Sequence, residues 1–184
     1  MFAFRCTQKL LTRLNAVPAP EPAPPDSVLG DWYANIVRAG RTQVVLAISE
    51  RTLLSVVVPA KEGRTLVRRF SEALEPLLLS IGVPAEDVVA ERNAMQQSAI
   101  AKTANRRVLG SLNDLAFQLE VGLTHQPERT LLAQSLWLAQ TPMKVIEYGS
   151  PDAATVAAFA ARRALSKASG APPDYWLSHR PVNP

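Results

Sequence analysis

The side chains best suited to chemistry fall in one run, Lys102-Thr103-Ala104-Asn105-Arg106-Arg107-Val108-Leu109-Gly110-Ser111-Leu112-Asn113-Asp114. Polar residues are dense there and apolar residues flank them. Asn105 stands where a helix N-cap belongs, since its short amide can accept hydrogen bonds from the first free backbone amides. Free amides at a helix start, beside Lys102, Arg106 and Arg107, would make an anion-binding arrangement. Arg106, Gly110 and Asn113 share one helical face by spacing. Glycine inside a helix costs about 1 kcal/mol relative to alanine, so Gly110 suggests close approach of a backbone or ligand. A second group, Asp31, Tyr33 and Asn35, lies around Trp32 and could line a pocket. The candidate set is Asp31, Tyr33, Asn35, Lys102, Thr103, Asn105, Arg106, Asn113 and Asp114. A fold-specifying network accounts for the same residues: Asn105 caps, Asn113 and Asp114 bond nearby backbone, and Arg106 pairs with Asp114 or Asp31.

Other chemistries lack their parts. The two histidines, His125 and His179, are far apart and have no partner at helical spacing, so no metal site is expected. The single cysteine, Cys6, sits on an apolar strand face, where an inert buried thiol is expected. There is no G-x-S-x-G elbow, no Walker loop and no G-x-G-x-x-G among eight glycines. No cofactor is implied. Twenty basic residues against sixteen acidic ones give a net charge of +4, a mild excess with no block of like charges. Arginine dominates the basic set, which keeps phosphate and nucleic acid in play.

The elements that position these residues follow from hydrophobic period. Phe2, Phe4 and Cys6 alternate with Ala3, Arg5 and Thr7, the mark of a strand with one buried face. Gln8 to Asn15 reads as a short helix. Residues 16–28 form a proline-rich connector, with Pro18, Pro20, Pro22, Pro24 and Pro25, expected as a stiff extended linker. Trp32, Ala34 and Ile36 then face one way, and Tyr33, Asn35 and Val37 the other. Gln43 to Ile48 is nearly all apolar, so it predicts a central strand covered on both faces. Leu53 to Val58 is a third strand, and the short turns demand antiparallel pairing. A helix from about Leu66 to Gly82 follows, with Pro76 expected to kink or split it. A second runs from Pro84 to about Gln97. Ser98 to Thr103 predicts a strand, and Val108, Leu112, Leu115 and Leu119 a helix. Thr130 to Ala139 is read as helix and Lys144 to Tyr148 as an edge strand. Ser150-Pro151 opens a last helix to about Lys167. The sum is a single α+β domain over 1–167, with a mainly antiparallel sheet of about five strands, a mixed one being allowed, and packed helices. Residues 168–184 are expected to form a flexible tail.

Several segments together resemble an uncharacterised bacterial and archaeal family of unknown function. They are Arg5-Cys6-Thr7-Gln8-Lys9-Leu10-Leu11, Leu29-Gly30-Asp31-Trp32-Tyr33-Ala34-Asn35, the Lys102-to-Asp114 run with Leu115-Ala116-Phe117-Gln118, and Leu138-Ala139-Gln140-Thr141-Pro142. The similarity runs from Phe4 to about Phe159. Arg107 and Leu112 depart from the Ser and Met usual at those places. The resemblance implies a compact cytosolic prokaryotic domain and carries no reaction or cofactor with it.

Three functions are compatible with the sequence. The first is a non-enzymatic binding module for a protein partner or a second copy of the chain. The second is a nucleic-acid binder using Lys102, Arg106 and Arg107, extended by Arg38, Arg41, Arg64, Arg68 and Arg69. The third is an enzyme with an unfamiliar phosphate or anion site between Lys102 and Asp114. No segment approaches the ~20 apolar residues of a membrane span, and Lys9 and Arg13 follow the apolar N-terminus in the wrong order for a signal peptide. A cytoplasmic location is expected.

Overall fold

The computed structural model describes residues 1–147 and 149–168. The expected tail beyond Ala168 lies outside the described residues. The strands are β1 (Phe2–Cys6), β2 (Trp32–Ala39), β3 (Thr42–Ser49), β4 (Ser55–Pro59) and β5 (Ser98–Lys102). The helices are α1 (Gln8–Leu14), α2 (Leu66–Ser80), α3 (Ala85–Ala94), α4 (Arg106–His125), α5 (Leu131–Ala139) and α6 (Pro151–Ala168). The chain folds as one α+β domain around a five-stranded mixed sheet in the order β4-β3-β2-β1-β5. The β2-β3-β4 meander is antiparallel, as the short turns require. By contrast, β1 runs parallel to both its neighbours, β2 and β5. The sheet is therefore mixed rather than mainly antiparallel at its β5 side.

Strand alternation sends side chains to two separate cores. On one face Phe2, Phe4, Trp32, Ala34, Val45, Val56 and Val58 meet Leu10 and Leu11 of α1 and the apolar stripe of α2. Phe70 sits at its centre, with its ring centroid 4.7 Å from Trp32 and 5.2 Å from Phe4. On the other face Tyr33, Val37, Val44, Leu46, Ile48 and Val57 meet Val108, Leu112, Leu115 and Leu119 of α4. As expected, β3 is buried on both faces. The outer edge of β4 is closed by α5, whose Ser135 hydroxyl accepts from the Val57 amide at 2.9 Å. Such cover prevents unwanted strand pairing. The last helix is anchored by a buried hydrogen bond of 2.9 Å between Thr155 and Thr52.

Two sequence expectations fail for physical reasons. Pro76 does not divide α2, which is unbroken from Leu66 to Ser80. Pro76 and Glu72 both lie on the solvent side, so water can satisfy the Glu72 carbonyl that the missing amide leaves free. The segment expected as an edge strand, Lys144 to Tyr148, instead holds a 3-10 turn over Lys144–Ile146. Its amides pair locally, Ile146 to the Met143 carbonyl and Glu147 to the Lys144 carbonyl, each at 3.1 Å. Tyr148 lies outside the described residues.

The proline-rich connector is fastened at both ends. Ala19 donates to the Ile100 carbonyl at 2.8 Å and makes one parallel bridge beside β5. At the other end the buried Glu91 carboxylate accepts from the amides of Val28 (2.7 Å) and Leu29 (3.0 Å). Burial raises the Glu91 carboxyl above its ordinary value, against the opposing pull of those two amides and of Arg51 and Arg162.

The two interior glycines of α4 make a contrast that unfolding can measure. A Cβ on Gly122 would lie 2.7 Å from Gln134 Oε1 and 2.9 Å from the Trp137 ring, whereas one on Gly110 meets nothing within 4 Å. Gly122→Ala should therefore destabilise the protein by about 1–3 kcal/mol, and Gly110→Ala should stabilise it by about 0.5–1 kcal/mol, both read from urea midpoints. For Glu91, a raised carboxyl means the native state holds the proton more tightly than the unfolded chain. Stability relative to Glu91→Gln should then fall as pH rises from the ordinary value of 4.5 through the raised one, and level off above it. Urea titrations of both proteins across that window measure the difference.

Candidate functional site

Strand β1 is apolar except for Arg5, which projects to the Tyr33 side of the sheet. A charge so placed needs a partner. Arg5 Nε donates to Asp31 Oδ2 at 2.7 Å, and Asp31 is buried at the entrance to β2. The other carboxylate oxygen accepts from the Ala3 amide at 2.9 Å. Arg5 Nη1 also reaches the Lys102 carbonyl at the end of β5, at 3.3 Å. The guanidinium lies 5.9 Å from the Tyr33 ring centroid. The Tyr33 hydroxyl accepts from the Asn105 amide at 3.0 Å and donates to Glu50 at 3.4 Å. Burial raises this hydroxyl's pKa above its usual value. Asn35 is occupied separately: its Oδ1 accepts from the Thr7 hydroxyl at 2.8 Å and from the Ile36 amide at 2.9 Å.

The entrance of α4 is closed in the same manner. Asn105 caps it as its sequence position predicts, accepting from Arg107 (3.0 Å) and Val108 (3.4 Å). The amides proposed for an anion are thus already paired with that side chain. Arg107 turns away and donates to the Val145 carbonyl. Arg106, Asn113 and Asp114 are exposed, and none makes a hydrogen bond or ion pair through its side chain among the described residues. Arg106 therefore pairs with neither Asp114 nor Asp31, because Arg5 already holds Asp31. Nothing approaches Gly110. The candidate set accordingly separates into three groups. Asp31, Tyr33, Asn35 and Asn105 hold the fold together. Arg106, Asn113 and Asp114 face solvent on α4. Lys102 and Thr103 remain, and they line a cleft.

That cleft has a volume of about 300 Å³. Arg5 and Ala101 line it together with Lys102, Thr103 and Ala104 of the β5–α4 loop and Pro18-Ala19-Pro20 of the connector. Its place follows from topology. Strands β1 and β5 are adjacent and parallel, yet α1 packs on the Trp32 face and α4 on the Tyr33 face. Adjacent parallel strands whose following helices diverge leave a crevice at their carboxyl ends, a common ligand position in sheets of this kind. The cleft offers cations and hydrogen-bonding groups and no thiol: Cys6 lies outside its lining, and burial pushes that thiol up to about 12. Among the described residues no group of three or more His, Cys, Asp or Glu could hold a metal ion.

Sequence reasoning missed Arg5 and the connector as parts of this region. The signal for Arg5 was present, since it is the one charge in an otherwise apolar strand and stands next to Cys6 in a familiar motif. The connector gave no comparable signal, because its contact with β5 is through backbone.

The fold is a single α+β domain with a mixed sheet and a cleft at the carboxyl ends of β1 and β5. A family model described as a domain of unknown function, DUF6933, matches residues 3–154. The chain belongs to that family. No curated protein and no solved structure gives a match. No helix among the described residues is long and apolar enough to cross a membrane.

The separation of the candidate set can be measured. Asp31→Ala strands a half-buried guanidinium and the Ala3 amide, so it should cost about 2–4 kcal/mol. Arg106→Ala and Asn113→Ala should change stability by less than about 0.5 kcal/mol. Chemical denaturation of the three variants tests the contrast.

Proposed function

We propose that this chain is a non-enzymatic binding module and that the cleft between the connector and the β5–α4 loop is its ligand seat. The observation that carries this reading is the cleft's position at the divergence of α1 and α4, with Arg5 in its lining and Lys102 at its rim. The ligand this seat favours is a protein segment bearing negative charge. Lys102 makes no hydrogen bond through its side chain among the described residues, and Arg106 follows at the start of α4, so positive charge is available. Thr103 supplies a hydroxyl. The lining holds no His, Asp, Glu or Cys to activate the Thr103 hydroxyl or to act as a paired acid and base, which favours binding over catalysis.

Nucleic acid is the less favoured ligand. Of the arginines that would extend a basic surface, Arg68 pairs with Glu72, and Arg69 donates to the carbonyls of Pro59, Lys61 and Glu62. Arg38 donates to the Gly40 carbonyl. Arg68 is thus neutralised by a carboxylate, and Arg69 and Arg38 are held against local backbone, which leaves these three poorly placed for a continuous phosphate track.

An amide-detected NMR titration tests the seat. With an acidic peptide as titrant, shifts should gather at Arg5, Ala19 and Ala101–Ala104, shrink as salt rises, and largely vanish in Lys102→Glu. Shifts centred elsewhere, or a stronger response to mixed-sequence DNA or RNA than to the peptide, would overturn the assignment.

A further inference from the structure

Among the described residues, the outer edge of β5 is the sheet edge that no helix closes. Because the Ile100 carbonyl accepts from Ala19, the Ile100 peptide groups point outward, and by alternation so do those of Ser98 and Lys102. The connector covers this edge at a single point. Pro18 and Pro20 flank Ala19 and carry no N–H, so Ala19 is the one residue of that tripeptide able to donate. Just before it, Val17 is 93% exposed, so the connector does not pack tightly against the edge on that side. The Ile100 and Ser98 amides make no hydrogen bond among the described residues. A five-residue strand is thus guarded by a strap that pairs like a strand at one residue only.

We infer that the ligand of this module is an extended acidic peptide that adds to β5 as a sixth strand, and that Pro18-Ala19-Pro20 is a displaceable strap holding its place. The inference rests on the cleft being the ligand seat. Three observations support the peptide's chemistry. Strand addition supplies main-chain hydrogen bonds along the edge, and alternate side chains then fall toward the cleft. The unpaired cation Lys102 of the cleft complements acidic side chains, while Arg5 is already neutralised by Asp31. The prolines that flank Ala19 would hinder pairing of this edge with other copies of the chain, since a proline-guarded edge resists unselective pairing.

The test uses the full chain and a fluorescent hexapeptide of alternating Glu and Val, with a version N-methylated at alternate amides as control. Ala19→Pro removes the strap's hydrogen bond and should tighten anisotropy-measured binding by about fivefold, the equivalent of one net hydrogen bond. N-methylation should weaken binding to the unmodified chain by on the order of tenfold or more, since several main-chain bonds are lost. The bound peptide should also slow exchange of the Ile100 amide, a readout that does not depend on the variant folding. Equal binding of the methylated peptide would overturn strand addition while leaving the cleft as the seat, provided Lys102→Glu still weakens it. Unchanged affinity in a folded Ala19→Pro would overturn the strap. Dimerisation of Ala19→Pro through β5, seen by sedimentation, would overturn the peptide in favour of a second copy. Absence of binding by either peptide, with no NMR response, would overturn both the inference and the reading beneath it.

Discussion

Most of the fold on its β5 side depends on where one arginine finds its counter-charge. Strand β1 lies between two parallel neighbours, and its apolar side chains would tolerate more than one alignment. Arg5 removes that freedom. Its partner Asp31 stands at the entrance to β2 and also takes the Ala3 amide, so a single carboxylate grips β1 at two successive residues of one face. The same guanidinium reaches the last carbonyl of β5. Three strands are therefore tied at one side chain. Misalignment of any of them would leave a charge in a poorly solvated place, at a cost of several kcal/mol. The pair's value lies in selecting one register more than in adding net stability, as for many ion pairs away from water.

From that clamp the rest of the polar network follows. The guanidinium lies against Tyr33, Tyr33 takes the Asn105 amide, and Asn105 in turn caps α4. The position of α4 over one face is thus linked to the register of the strands beneath it. Because these groups satisfy one another, they leave little for a ligand. What stays open is the rim beyond them, where β5 ends, the loop to α4 begins and the connector passes. The proposed ligand seat lies where the network stops, beside the connector that crosses β5.

Much of the architecture was legible in the sequence because it is written locally. Alternation assigned Trp32 and Tyr33 to opposite faces, the apolar run of β3 marked it as central, and the spacing of Val108, Leu112, Leu115 and Leu119 gave the buried stripe of α4. Asn105 was recognisable as a cap from its position alone. The parallel alignment of β1 was not legible, because its partners lie tens of residues downstream and no turn records the pairing. The partner of Asp31 was also missed: Arg106 was offered because it stands in the polar run, whereas the charge that reaches Asp31 is Arg5, 26 residues before it on the neighbouring strand. Gly110 and Gly122 look alike in sequence, and only the packing of α5 tells which one needs to be glycine. Lys144 to Tyr148 was misread because short apolar runs suit a strand or a 3-10 turn equally, and tertiary context decides.

The account stands or falls on Arg5 and Asp31 acting as one unit. A double-mutant cycle with Arg5→Met, Asp31→Asn and their combination, followed by urea unfolding, measures that directly. Direct coupling predicts that the double variant loses less than the sum of the singles, by about 1 kcal/mol or more. Additive losses, within about 0.3–0.5 kcal/mol, would show that the two residues act independently and would contradict the clamp.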